Sequence, residues 1–425
     1  MRVLWSTFIV FPEVAKQVGM SALYACTWVR AMAEKLRYRE DVQLAIVTVG
    51  NSDQVKLIES NNIAFYFLPG GKKVYKSGGG EKVKAAWKQI LDEFKPDVIH
   101  AYGTEYAHNR MLVDLKPDIP IVVSLQGILK DYQKDYYGGM DISTALRYTS
   151  LRDIARGSGI ILDKVRLKKP IQYECDMLRK VDYVEGRTFW DKVSAEAINP
   201  NAKYYHCPRM IRHEFYESEA WDINKADRHS IFVHQGFKAL KGLHFVLYAV
   251  ASLRRKYPDI KLYIAGPDKL RIRGTKDRLM ANGYKIYVND LIRKLKLDDV
   301  VVFTGTLDAA GMVKQLQKSH VMVLPSSIEN SPNSLVEAML VGTPCISSFV
   351  GGVPEMLRHQ EEGLLYCYNE VNVLAHYIER IFESDELAMR YSKAARERKM
   401  EEHDEKLLEQ MLMDIYTDIM KRHER

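Results

Sequence analysis

Between Val323 and Glu355 the chain reads VLPSSIENSPNSLVEAMLVGTPCISSFVGGVPE. Two carboxylates stand in it, Glu329 and Glu337. Glu329 falls in a polar loop that follows the apolar strand Val321 to Leu324. Glu337 falls about one turn inside a short helix entered through Ser331, Pro332, Asn333 and Ser334. A helix N-terminus presents unpaired N–H groups and partial positive charge, so it attracts phosphate. Asn333 or Ser334 can cap that helix. A carboxylate one turn in can accept two hydrogen bonds from a ribose diol, and a carboxylate in the loop before it can meet sugar hydroxyls. Gly351 and Gly352 lack a Cβ and let the backbone approach a ligand. The set suits a ligand with a phosphate and neighbouring hydroxyls, such as a nucleotide sugar. Ser334-Leu335-Val336-Glu337 also fits a capping box, in which Glu337 only closes its own helix.

These groups need a frame. The 425 residues exceed one compact core and suit two domains. Strand-like and helix-like stretches alternate through both halves, the pattern of parallel sheets covered on both faces. In the first half strands are expected near Val3–Val10, Val42–Val49, Ala64–Leu68, Val98–Tyr102 and Ile121–Leu125, with pieces at Tyr183–Glu185 and Tyr204–His206. Helices are expected at Ala22–Leu36 and Lys82–Phe94. The second half starts afresh at Ile231–His234. It continues through helix Leu243–Tyr257, strand Leu262–Ala265, helix Val288–Leu297, strand Val300–Thr304 and helix Ala309–Lys318. Asp268–Tyr284 reads as a basic surface loop and Met210–His229 as the linker. The expected fold class is α/β, with a first domain over 1–209 and a second over 210–399.

Composition excludes several functions. No run of about 18 apolar residues exists, so no spanning helix is expected, and the N-terminus reads as a buried strand rather than a signal peptide. Cys26, Cys175, Cys207, Cys345 and Cys367 show no paired spacing, which favours free thiols in a reducing, cytoplasmic setting. The net charge of +7 comes without an arginine stripe or zinc spacing, so nucleic acid is not the expected partner.

The spacing of Glu329 and Glu337, then Gly342-Thr343-Pro344, then Gly351-Gly352-Val353-Pro354-Glu355, resembles family 4 of the retaining glycosyltransferases. Lys241-Gly242 and the strands ending at Gly266 and Gly305 match in the same order. The resemblance implies the GT-B fold: two Rossmann-like, doubly wound domains facing across a cleft, with a C-terminal helix, about 400–425, packing back on the first. It implies transfer of a sugar from a nucleotide diphosphate donor, UDP- or GDP-linked, to a glycan or lipid-linked acceptor in cell-surface polysaccharide synthesis. Catalysis would fall to Lys241, stabilising the leaving phosphate, and Glu329, orienting the sugar. Donor contacts would come from Gly236, Lys238, Lys241, Glu329, Asn330, Ser331, Asn333, Ser334, Leu335 and Glu337. No cofactor and no metal is implied. Phe237 stands where relatives often carry an arginine.

In the first half the family's glycine loop corresponds to Gly19. Gln126 stands where many relatives place a histidine, and it can still donate and accept hydrogen bonds. Glu105, at the end of the fourth strand, could touch donor or acceptor; His100 in that strand reads more readily as a core group. Gly78-Gly79-Gly80 reads as a flexible loop near the cleft. Tyr132, Tyr136 and Tyr137 offer faces for sugar stacking. The basic run Lys164–Lys169 suits a solvated face or a peripheral contact with the inner membrane surface. A nucleotide-sugar epimerase and a non-catalytic sugar-binding protein remain as alternatives.

Overall fold

The structure, a computed structural model, describes residues 1–20, 27–266 and 271–424. The chain forms two units, each built on a parallel sheet wrapped by helices. Unit 1 comprises Met1–Lys130, Lys168–Ile211 and His403–Arg425, and unit 2 comprises Asp131–Leu167 and Arg212–Glu402. The expected boundary at 209/210 thus falls close to the observed one. The expected single span 1–209 does not hold, because Asp131–Leu167 packs with the second unit. That segment anchors itself there through Ser327 Oγ, which donates to Asp135 O at 3.1 Å, and the Asn330 N–H, which donates to Tyr132 Oη at 3.1 Å.

Unit 1 holds strands β1 (Arg2–Ser6), β2 (Gln43–Val49), β3 (Lys56–Ser60), β4 (Ile63–Leu68), β5 (Val98–Tyr102), β6 (Ile121–Ser124), β7 (Tyr183–Gly186) and β8 (Lys203–His206). Their order is β3-β4-β2-β1-β5-β6-β7-β8. Only β3 runs antiparallel, along β4 at the edge. The central strands are apolar at consecutive positions because both faces are buried. Alternate residues feed different cores: Val3 and Trp5 enter one, Leu4 the other. The helix Glu405–His423 covers the first face with Leu408, Leu412, Tyr416 and Ile419. The helix Gly80–Phe94 covers the second with Val83, Trp87 and Ile90.

Unit 2 holds β9 (Asp227–Val233), β10 (Lys261–Ala265), β11 (Val301–Gly305), β12 (Ser319–Leu324), β13 (Cys345–Ser348) and β14 (Gly363–Tyr366), in the order β11-β10-β9-β12-β13-β14. Every pair in this sheet is parallel. Its core joins Ile231, Val233, Leu262, Ile264, Val321 and Val323 to helices Leu243–Leu253 and Val371–Glu383.

Several expectations need correction. The stretch expected as a loop over 268–284 contains helix Thr275–Leu279, and helix Gly283–Lys294 begins inside it. Asn282 caps that second helix by accepting the Lys285 N–H at 2.9 Å. Residues 267–270 lie outside the described residues, as do 21–26, which include Cys26 and the expected first turns of helix 22–36. The expected linker is pinned to unit 2 by Trp221, whose N–H donates to Val341 O and whose indole donates to Ser319 O, both at 2.8 Å. Gly78, Gly79 and Gly80 are not a loose loop. All three have positive φ and turn the chain between two helices, and a Cβ on Gly79 would come within 2.3 Å of Val83.

Candidate functional site

In unit 2 the strand order reverses direction between β9 and β12. Such a switch point opens a crevice at the strand C-termini, where doubly wound sheets bind ligands. Two loops leave the sheet there, 234–242 after β9 and 325–332 after β12. They interlock: the Ser327 N–H donates to Leu240 O at 2.8 Å. Gly242 sits at φ +69°, and a Cβ there would lie 1.9 Å from Pro325 O, so no other residue fits without moving the loop. Gly351, at φ +51°, is held in the same way against Glu329 O, also 1.9 Å from a would-be Cβ. The Gly352 N–H donates to that carbonyl at 3.2 Å. The close approach expected of Gly351 toward a ligand is therefore an approach to the backbone of Glu329, which it fixes.

Two charge pairs stand in this region. Lys241 Nζ pairs with Glu329 Oε1, and Ser326 Oγ donates to the same oxygen at 2.7 Å. Glu337 is 5% exposed, and its Oε1 accepts from Arg212 Nη2 at 2.8 Å. Burial raises the Glu337 carboxyl above its ordinary range, and the Arg212 guanidinium opposes that rise. His234 lies between the pairs. Its Nε2 is 3.8 Å from Glu337 Oε2. Burial, then the Arg212 and Lys241 charges, lower its imidazole to about 4, so it is neutral near pH 7. Glu337 Oε2 keeps its accepting capacity, since 3.8 Å is too long for a hydrogen bond.

The helix carrying Glu337 runs Asn333–Val341, and its N-cap is Pro332, with no side-chain cap. The expected cap from Asn333 or Ser334 is absent, as is the capping box, because the helix begins one residue earlier: Pro332 takes the N-cap position and Ser334 already lies inside the first turn. Leu335 is wholly buried and its N–H donates to Pro332 O at 3.0 Å. The N–H groups of Asn333 and Ser334 lie in the first turn, where a helix leaves its donors unpaired. Asn330 is 1% exposed, and Ser331 is half-buried. Gly236 packs under Leu243, whose Cδ2 would lie 2.5 Å from a Cβ. Phe237 lies on Gly266. Lys238 faces a cavity shared with residues of 131–167.

In unit 1, Gln126 Oε1 accepts from Arg209 Nη2 at 2.7 Å. Glu105 feels the same Arg209, while burial raises its carboxyl above the usual value. Gly19, at φ +62°, ends the turn Lys16–Val18, and nothing lies within 4 Å of a would-be Cβ. His100 is a core group, with Nδ1 2.7 Å from Tyr416 Oη and Nε2 3.5 Å from Glu185. The structure thus gathers Lys241, Glu329 and Glu337 in unit 2, and Glu105 with Gln126 in unit 1. Sequence reasoning missed Arg212, His234, Ser326 and Arg209. His234 and Ser326 had a signal, since both follow strand ends. Arg212 and Arg209 had none. Among the described residues no three His, Cys, Asp or Glu side chains group as a metal would require, and no helix is long and apolar enough to cross a membrane.

The glycosyl transferases group 1 family model matches residues 215–398. That stretch resembles a glycosyl transferases group 1 domain. It contains Lys241, Ser326, Glu329, His234 and Glu337 but not Arg212. Over 131 residues the chain is 30% identical to N-acetyl-alpha-D-glucosaminyl L-malate synthase of Bacillus anthracis, covering 31% of this chain and 34% of that protein. Over 185 residues it is 28% identical to glycogen synthase of Mycobacterium tuberculosis, covering 44% and 41%. The match therefore spans well under half of each relative's own length. The fold is similar to sucrose-phosphate synthase from Thermosynechococcus elongatus, with TM-score 0.74 at 17% identity over 99% of this chain and 100% of that one. It is also similar to Anabaena HepE in complex with UDP, with TM-score 0.65 at 15% identity over 98% and 100%. The chain has the GT-B fold, with two Rossmann-like units.

Proposed function

We propose that the protein is a retaining glycosyltransferase. It moves a sugar from a nucleotide diphosphate donor to a glycan or lipid-linked acceptor in cell-surface polysaccharide synthesis. The observation that carries this reading is the pairing of Lys241–Glu329 with Glu337–Arg212 around one switch point, with all but Arg212 inside the stretch that matches the group 1 family. Glu337 Oε2 accepts ribose hydroxyls while Arg212 holds the other oxygen. Lys241 meets the diphosphate and stabilises charge as the sugar–phosphate bond breaks. Glu329, released from Lys241 by that anion, orients the transferred sugar. Asn333 and Ser334 present their N–H groups to the phosphate. The leaving phosphate itself takes the acceptor proton, so neutral His234 is a spacer of low charge rather than a base. No divalent ion is needed in this scheme. A structurally similar protein, Anabaena HepE, was crystallised with UDP and glucose, which supports a uridine donor.

The reading places the protein in the cytoplasm, peripherally at the membrane when the acceptor is lipid-linked. Lys164 and Arg166 alternate with exposed Val165, and Leu151 and Ile154 of the same segment are also exposed. Apolar and basic side chains together suit an anionic lipid surface. Calorimetric titration with UDP, GDP and ADP, with and without Mg²⁺, tests the donor site. One nucleotide should bind without metal and lose affinity in Glu337→Ala. Failure of all three to bind would remove the proposal.

A further inference from the structure

The Gly236–Gly242 loop has two lysines that go to different places. Lys241 pairs with Glu329. Lys238 faces a second cavity of about 430 Å³, whose other wall is the segment 131–167. Both walls are fixed. Gly138 lies so close to the loop that a Cβ would come within 2.1 Å of Ala239 O. Across the cavity the Gly283 N–H donates to Asp153 Oδ2 at 2.7 Å, and a Cβ on Gly283 would lie 1.8 Å from Tyr148 O. The volume falls within the range for small-molecule sites, about 300–1,000 Å³.

Its polar groups form a pattern. Asp153 is 2% exposed, and its Oδ1 accepts no hydrogen bond; the nearest cation is Arg152 Nη1 at 3.7 Å. Buried oxygens without a donor are uncommon and call for an explanation. Ser158 offers a hydroxyl, and Asn282 offers its amide N–H groups, its oxygen being spent on the Lys285 N–H. The Tyr136 ring supplies a flat face. Asp153 has Arg152 beside it, and Asp163 has Arg166 at 3.9 Å. Lys238 forms no ion pair among the described residues; desolvation and then the like charge of Lys241 lower its ammonium pKa, and the Asp163 charge opposes them. The cavity thus holds one cation that forms no ion pair, among acceptors, donors and an aromatic face.

We propose that this cavity is a subsite for a saccharide carrying one anionic group, a sugar phosphate or a uronate, with Lys238 on the anion and Asp153, Ser158 and Asn282 on the hydroxyls. As an account of the acceptor it rests on the glycosyl-transfer reading. The binding itself does not, and the two can fail separately. Phosphate and carboxylate share the required charge, and separate titrations distinguish them.

The experiment is calorimetric titration of the full chain with glucose 6-phosphate, glucuronate, glucose and inorganic phosphate, each with and without saturating UDP. One of the two anionic sugars should bind at least tenfold more tightly than glucose or phosphate, and equally well with UDP present. Lys238→Met and Ser158→Trp, which fills the cavity, should each weaken that binding at least tenfold, with UDP affinity retained in Ser158→Trp. Absence of binding by both anionic sugars would overturn the proposal. So would equal affinity for phosphate alone, displacement by UDP, or unchanged binding in both variants. If an anionic sugar binds as expected and no nucleotide does, the subsite stands and the donor reading falls.

Discussion

Glu337 carries the sharpest residue-scale consequence. It is buried, it gives one oxygen to Arg212, and its other oxygen accepts no hydrogen bond. Hydrogen bonds to a charged group contribute about 1.5–3 kcal/mol, and about 1.4 kcal/mol is tenfold in affinity. Glu337→Ala should therefore raise the nucleotide Kd roughly 10- to 100-fold by calorimetry. Arg212→Ala should weaken nucleotide binding and also lower stability by roughly 3–5 kcal/mol, because it leaves a buried carboxylate without its cation. Denaturant titration separates the two effects. Glu329→Gln keeps the size of the side chain but not its charge. It should lower kcat about 100-fold, in line with the loss of one preorganised electrostatic contact, and leave nucleotide Kd within about twofold. Equal losses in kcat and nucleotide affinity would assign Glu329 to donor binding instead. The sequence exposed the two acids and Lys241 because their spacing along one strand–loop–helix unit is fixed. It hid Arg212, which reaches Glu337 from 125 positions away, since no local pattern records a contact made only by folding. It also misled on the cap: the Ser334–Glu337 pattern is present, but the helix starts at Asn333 after Pro332, so Ser334 falls inside the helix rather than at its cap.

Among the elements, the helix Glu405–His423 shows what local pattern can and cannot reveal. Its charge and helical character were legible. Its partners were not. Tyr416 lies at the centre, its hydroxyl accepting from Trp5 Nε1 at 2.9 Å and lying 2.7 Å from His100 Nδ1. All three side chains are buried. Tyr416→Phe strands both partners in an apolar setting, at a cost of about 1–3 kcal/mol. Thermal unfolding should show a Tm lower by several degrees, with nucleotide affinity unchanged, since the contacts belong to unit 1. An unchanged Tm would mean that Trp5 and His100 find other partners. The central strands were readable because burial on both faces makes them continuous apolar runs. The edge strand β3, KLIES, was missed because only one of its five residues is buried. The segment 131–167 was assigned to the wrong unit for a physical reason: its polar contacts to the rest of the second unit, through the Asp135 carbonyl, the Tyr132 hydroxyl and the Asp153 carboxylate, leave no spacing in the sequence.

For the whole molecule, buried titratable groups set a pH window. Burial lowers His108 to about 3 and His234, His244 and His320 to about 4. Between about 4 and the ordinary value of 6.5 the unfolded chain binds protons that the folded chain refuses, so stability rises with pH across that range. Glu174 acts in the opposite sense. Burial raises it to about 8, and it receives Thr104 Oγ1 at 2.9 Å. Its contribution is full below the unfolded value near 4.5 and is lost as pH rises through 8. Four histidines outweigh the raised carboxyls of Glu174, Glu105 and Glu337 on the acid side, and Glu174, raised to about 8, acts above 6.5. Tm measured against pH should peak near 6.5 and decline toward both 4 and 8, and Glu174→Gln should flatten the alkaline decline. A Tm independent of pH from 4 to 8 would contradict these assignments. The two-unit division carries a different kind of consequence. The chain passes between the units at 130/131, 167/168, 211/212 and 402/403. Neither unit is one continuous stretch, so synthesis from the N-terminus cannot complete the first before the second. While residues 131–402 are being made, the first sheet waits with one face uncovered for the helix Glu405–His423. A chain interrupted between Glu402 and Glu405 would have every part of the second unit, and its first would lack the helix that covers Trp5. Quality control, rather than catalysis, would be the first to register that loss.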